Sequence, residues 1–296
     1  SRCGASMSAG NAPSSQKLRA HSTVALTALT ALEQRASALN SVSTLELYPP
    51  PQPVPRRKRP FIRAATPNIM PRANIEPDIM LDGFVMLQAA HVEDPAEAEK
   101  VVLEGCGITA VITEDLNYFT QLTHLDLGDN RVQLSALAYL PALHELHLDC
   151  NGLSQLAVPA GGFPQLEVLN LSYNGLLPDA LLALADIPKL RELDISMNKL
   201  TELPIDLSRF GALERLNADS NMLGSEASFL ALATMPRLRA LSLAHNRVVV
   251  LPSSATESGL TNLVSLSLAH NQITNEEALL PLLNLMALRT LLVYGN

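Results

Sequence analysis

Tryptophan is absent from the 296 residues, and aromatic side chains of all kinds make up only 4%. Any core must therefore be assembled from aliphatic residues, which the 47% hydrophobic content supplies. Cysteine is scarce as well. Cys3, Cys106 and Cys150 form no C-x-x-C pair and are too few for a disulfide framework, which fits a reducing compartment. No run of eighteen apolar residues occurs, so no membrane-spanning helix is expected. A net charge of −8 excludes a globally basic nucleic-acid binder. The signatures G-x-x-x-x-G-K-[ST], G-x-S-x-G and G-x-G-x-x-G are all missing, and with them the common phosphate-cradling and nucleophile-elbow chemistries.

The charge that is present is unevenly placed. Residues 1–80 hold ten Lys/Arg and four Asp/Glu, a net +6, whereas residues 81–296 carry a net −14. A basic arm is thus joined to an acidic body. Within the arm, Leu18, Ala25, Leu29, Leu32, Ala36 and Leu39 recur at helical spacing, which predicts an amphipathic helix over about residues 15–40. Its apolar stripe could pack on its own chain or dock on a partner. A targeting peptide fits less well, because Glu33 and Arg35 follow the apolar stretch directly. The proline-rich stretch 48–55 should be extended polyproline II. It leads into Arg56, Arg57, Lys58 and Arg59. Three readings of that tetrad stand side by side: a solvated linker, a nuclear signal, and a contact to an acidic surface.

One sentence then repeats. Leu122-Thr-His-Leu-Asp-Leu-Gly-Asp-Asn130 reads L-x-x-L-x-L-x-x-N, and the frame recurs to end at Asn151, Asn174, Asn198, Asn221, Asn246, Asn271 and Asn296. A degenerate first copy puts Cys106 where asparagine belongs. Successive spacings are 21–25 residues, and an apolar anchor follows each Asn by two positions (Val132, Leu153, Leu176, Leu200, Leu223, Val248, Ile273). Such a frame predicts an α/β leucine-rich-repeat solenoid over residues 81–296. Short strands should stack into one parallel concave sheet, with the leucines inward and the asparagines turning the chain. Pro178 and Asn275 predict helical return segments on the convex side; residues 200–204 and 250–254 read as irregular. The last copy has no following anchor, so Leu288, Leu291 and Val293 should be partly wet. That end is expected to be covered by a partner or by further chain.

Mixed convex elements with this repeat length resemble the intracellular leucine-rich repeats, including phosphatase-regulatory and axonemal dynein-associated ones. The entry segment 81–95, the stretch 143–153 and the stretch 162–174 are similar, in that order, to the X-ray radiation resistance-associated leucine-rich-repeat proteins. The resemblance implies an intracellular, non-enzymatic repeat protein, in the cytoplasm or on the cytoskeleton. The axonemal relatives point to a cilium or flagellum, with the nucleus as the alternative.

Outward-facing strand positions carry the candidate binding residues. Asp126, Asp129, Glu145, Asp149, Glu192, Asp194 and Asp219 make an acidic strip that also includes His147. The next copies are nearly all small, with Ser242 and Ser267 at the central position. These residues predict a concave surface for a protein partner, basic where it meets the strip. The arm tetrad would meet an acidic surface such as tubulin. His144, His147, Asp149 and Cys150 are close in sequence, but residues three apart on a strand diverge, so no metal site is expected there. His245 and His270 should stack, as each precedes a ladder asparagine. No catalytic residue and no cofactor is expected. The functional reading is a scaffold in a large assembly; a phosphatase-regulatory subunit, a nuclear or cytoplasmic adaptor, and an enzyme with an unrecognised site are the alternatives. The sequon at Asn170 falls in an expected strand and is discounted.

Overall fold

The computed structural model describes residues 79–296. The expected amphipathic helix over 15–40, the proline-rich stretch and the tetrad at 56–59 lie outside the described residues.

Each L-x-x-L-x-L frame forms a three-residue strand. Strands β2 (Lys100–Val102), β4 (His124–Asp126), β5 (Glu145–His147), β6 (Val168–Asn170), β7 (Glu192–Asp194), β8 (Arg215–Asn217), β9 (Ala240–Ser242), β10 (Ser265–Ser267) and β11 (Thr290–Leu292) form one nine-stranded sheet in chain order. Pairing is parallel throughout, with central leucines opposite one another, as in Leu193↔Leu216 and Leu216↔Leu241. The period-two geometry of a strand sends those leucines to one face, where Leu125, Leu146, Leu169, Leu216 and Leu266 are buried. The residues flanking them look outward.

The asparagines carry the ladder from one copy to the next. The Asn221 Nδ2 group donates to the carbonyls of Ile195 at 3.0 Å, Ala218 at 3.1 Å and Asp219 at 3.3 Å. Its Oδ1 accepts from the backbone N–H of Asn198 at 3.1 Å and of Leu200 at 3.0 Å. Asn174 repeats this pattern, and Asn271 makes the same three donations while its Oδ1 accepts from the Val248 N–H. Each asparagine therefore satisfies backbone groups of the copy before it. Cys106 can replace the first asparagine because Asn130 already serves that copy, accepting from the Ile108 N–H and donating to the Leu103 carbonyl.

The residue before each asparagine is left-handed: Asp129, Cys150, Tyr173, Met197, Ser220, His245 and His270 have φ between 53° and 58°. Such a conformation costs a non-glycine residue about 1–2 kcal/mol. It is held because each of these N–H groups continues the ladder into the next copy, as with Cys150 to the Ser172 carbonyl and His245 to the Ala269 carbonyl.

The 81–95 segment forms a cap. Strand β1 (Ile79–Leu81) pairs in parallel with β3 (Ile108–Val111), apart from the main sheet. Helix α1 (Gly83–Ala90) follows, N-capped by Asp82, whose carboxylate accepts the Val85 N–H at 2.8 Å. Leu81 and Met86 are fully buried on the end of the core. A single turn, α2 (Thr113–Leu116), precedes β4.

On the convex side, Pro178 opens a 3-10 helix (Pro178–Asp186), and Asn275 caps another (Glu276–Asn284) by accepting the Ala278 N–H at 2.9 Å. Both were expected to be helical. Residues 200–204 are irregular, as expected. The 250–254 expectation needs correcting: helix α4 (Ser253–Ser258) starts directly after Pro252, whose fixed φ suits a helix entry. Helix α3 (Glu226–Ala233), capped by Ser225, packs against α4. In the last copy Leu288, Leu291 and Val293 are half-buried, whereas Leu263, Leu266 and Leu268 one copy earlier are buried.

Candidate concave interaction surface

Parallel register places equivalent outward residues one above the next. In the column two residues ahead of the central aspartates, His124 and Glu145 are neighbours, with 3.1 Å between Nε2 and Oε2. His147 meets the other oxygen of Glu145 at 2.8 Å. Arg215 pairs with Glu192 at 2.6 Å, and Arg191 bridges Glu167 at 3.6 Å and Glu214 at 3.3 Å. Glu192 is therefore compensated within the protein by Arg215, and Glu145 is held by two imidazoles. Asp126, Asp149, Asp194 and Asp219 make no ion pair with Lys or Arg among the described residues.

The central column has a second role. Asp126, Asn170, Asp194 and Asn217 each accept the backbone N–H two residues on, at 2.8–3.1 Å. This Asx turn closes the end of each strand, and aspartate and asparagine perform it equally well. The Asp194 carboxylate also accepts from the Asn217 amide at 2.8 Å. Asp219 is the most enclosed of the strip; it accepts from the Ser242 hydroxyl at 2.5 Å and from the Ala244 N–H at 2.8 Å. Burial pushes its carboxyl above the ordinary value, with the Asp194 charge adding to the effect and those two hydrogen bonds opposing it. Burial also raises Asp149, as do the charges of Asp126 and Asp194, against its backbone hydrogen bond and His147. The neighbouring carboxylates thus add to an effect that burial begins.

The small-residue window is less open than its composition suggests. Ala240, Ser242 and Ala244 are buried, and only Ser265 and Ser267 of the next copy are half-exposed. Asp129 is exposed, standing at a left-handed turn on the rim rather than on the sheet. The same turns display Tyr173, Met197, His245 and His270. His245 and His270 stack as expected, with ring centroids 4.3 Å apart and planes 12° from parallel, and Tyr294 meets His270 edge-on at 5.2 Å. Sequence reading missed the rest of this rim because residue type at the turn follows no pattern; only the position before each asparagine marks it.

His144 and His147 diverge. His144 sits outside its strand against the Ala142 carbonyl, while His147 lies on the sheet face with Glu145. Among the described residues no group of three or more His, Cys, Asp or Glu converges as a metal site. Cys150 is exposed, yet burial of its sulfur and the charges of Asp149, Asp129 and Glu104 hold its thiol above the ordinary value, so it is a poor nucleophile. No helix among the described residues is long and apolar enough to cross a membrane.

Nine parallel strands in one register, an asparagine ladder and a convex return in every copy decide the family of folds. The chain is a leucine-rich-repeat protein. Leucine rich repeat models match residues 141–200 and 259–276. The chain is 30% identical over 102 residues to mouse X-ray radiation resistance-associated protein 1, which covers 34% of this chain and 13% of that protein. It is also 30% identical over 114 residues to mouse transforming growth factor beta activator LRRC32, covering 36% of this chain and 17% of that one. Both matches thus span less than a fifth of the relatives' own length. Among solved structures, internalin C2 of Listeria monocytogenes superposes with a TM-score of 0.54 at 22% identity, over 71% of this chain and 91% of that one. That likeness is one of fold.

Proposed function

We propose that this leucine-rich-repeat protein is a non-enzymatic interaction scaffold in a large intracellular assembly, whose concave face holds a basic protein partner. The observation that carries the reading is a set of carboxylates with no Lys or Arg ion pair among the described residues, Asp126 and Asp194 on the outward sheet face and Asp149 in the turn just beyond β5. Solenoids present such faces as extended binding surfaces, and like charges held together favour a partner of opposite sign. The test keeps the Asx turns: Asp126→Asn, Asp149→Asn and Asp194→Asn in one chain. Capture of partners from a lysate at low salt should fall about tenfold, and the wild type should lose the same partners as salt rises. Capture unaffected by the triple change removes the strip from the reading.

The arm supports a finer proposal, attachment to an acidic polymer such as the microtubule lattice of an axoneme. Its support is the tetrad Arg56, Arg57, Lys58 and Arg59 behind a proline-rich stretch, together with the resemblance to axonemal repeat proteins. Co-sedimentation with microtubules should be lost when all four are changed to Ser. Equal sedimentation of that variant at the same salt concentration refutes it.

A further inference from the structure

The body of the chain is acidic, at net −14 over residues 81–296, but one flank of it is not. Each copy passes from its convex return into its strand through a short connection, on the edge away from the asparagine turns. In three consecutive copies these connections are residues 185–191, 209–214 and 236–239. They hold five cations, Lys189, Arg191, Arg209, Arg237 and Arg239, against two anions, Asp186 and Glu214, a net +3. Both anions are already paired, Asp186 with Arg209 at 2.5 Å and Glu214 with Arg191 at 3.3 Å. Lys189, Arg237 and Arg239 make no ion pair among the described residues. The flank is a basic island on an acidic body.

A hollow of about 240 Å³ lies within this island. It opens beside the return of residues 199–212, which has no helix, although its neighbours carry the 3-10 helix Pro178–Asp186 and α3. Ile187, Leu190 and Phe210, all buried, form its apolar floor, and the exposed Arg209 and Arg237 stand on its lip. Arg209 meets Asp186 through one guanidinium nitrogen, which leaves the rest of its fork for a second carboxylate. Gly211 also lines the hollow. Its φ lies outside the left-handed region, and a side-chain carbon built on it would meet nothing within 4 Å. Neither backbone nor packing calls for glycine here. Its missing side chain keeps the hollow open.

Size and lining choose the occupant. Small-molecule pockets run to roughly 300–1,000 Å³, so this hollow takes one anchoring side chain rather than a whole metabolite. The floor favours an aliphatic group, and the guanidiniums favour carboxylates beside it. A nucleic-acid backbone would satisfy the cations and leave the floor wet.

We infer that this hollow is a docking site for an extended acidic segment of a protein partner, which inserts one aliphatic side chain over Phe210 and places its flanking carboxylates on Arg209 and Arg237. The site uses none of the concave carboxylates. A chain with both surfaces holds a basic partner on its face and an acidic one on its flank, and each partner is repelled from the other's site.

The probe is the end-blocked peptide Gly-Glu-Leu-Glu-Gly, titrated into the isotope-labelled full chain and read from the backbone amide resonances of Gly211 and Ala212. Those resonances should shift saturably at low salt, and the binding should weaken as salt rises. Peptides with Gln-Leu-Gln or Glu-Gly-Glu at the centre should each bind about tenfold more weakly, the first lacking the charges and the second the anchor. Arg237→Gln and Gly211→Leu should each cost about tenfold as well, the second by filling the hollow. An unchanged Tm establishes that the variants are folded. If Gly211→Leu lowers the Tm, Arg237→Gln, at an exposed position, decides the matter. The proposal is overturned if the amides do not shift, or if the Gln-Leu-Gln peptide binds as tightly as the acidic one. Pentathymidylate shifting the same amides as strongly also overturns it, because the island then reads a phosphate backbone. The capture experiment on the concave face uses other residues and a partner of opposite charge, so either result stands without the other.

Discussion

Replacing Asn221 by alanine is expected to destabilise the protein by about 3–5 kcal/mol, the largest effect we expect from any single polar side chain. Asn221 lies mid-array, is buried, and makes five hydrogen bonds with backbone groups of two copies. Truncation strands the N–H groups of Asn198 and Leu200 in an apolar interior, and the alanine methyl offers neither a partner; the carbonyls of Ile195, Ala218 and Asp219 each lose one donor and keep another, from the Asn198 amide, the Asn246 amide and the Met197 N–H. The midpoint should fall by about 10 °C, since 1 kcal/mol moves a domain of this size by about 2–4 °C. Thermal or urea unfolding measures it. A loss below about 1 kcal/mol means that water enters and satisfies these groups, and the ladder is then not the source of cohesion between copies.

Met86→Asp should have an effect of similar size but confined to one end. Met86 sits fully buried in α1, on the open end of the core, and the change places a lone carboxylate there. A solenoid is held by contacts between neighbouring copies, so losing the cap should loosen the copies next to it first. Hydrogen exchange over residues 100–130 should accelerate at least tenfold, while residues 240–270 keep their wild-type protection. Uniform acceleration along the chain indicates that the array unfolds as one unit and that α1 is not a local cap.

Much of this architecture is legible in the sequence because the repeat frame fixes register. Once the eight asparagines are aligned, the strand centres, the inward leucines and the columns of outward residues follow, including the stacking of His245 on His270. Pro178 and Asn275 announce their helical segments by the chemistry of helix starts. What escaped was relational. Summing charge along the strip counts Glu145 and Glu192 as free anions, although each has a partner one strand away in its own column, the His124 imidazole and the Arg215 guanidinium. The buried state of Ala240 and Ser242 depends on how neighbouring side chains such as Asp219 lean across the face, which composition does not encode. The cap escaped for a different reason. Its strand pairs with β3 outside the repeat frame, so no periodicity points to it.

The asparagine ladder has a mechanical consequence. Neighbouring copies share three strand positions and a similar set of Asn side-chain bonds, so the array is a chain of near-equivalent links in series. Under tension such a chain has no single weakest clasp. It lengthens by shedding one copy at a time, each releasing the 21–25 residues of one repeat, about 80 Å of extended chain, at comparable force. A scaffold built this way yields gradually under load, keeping most of its binding face intact while its ends give.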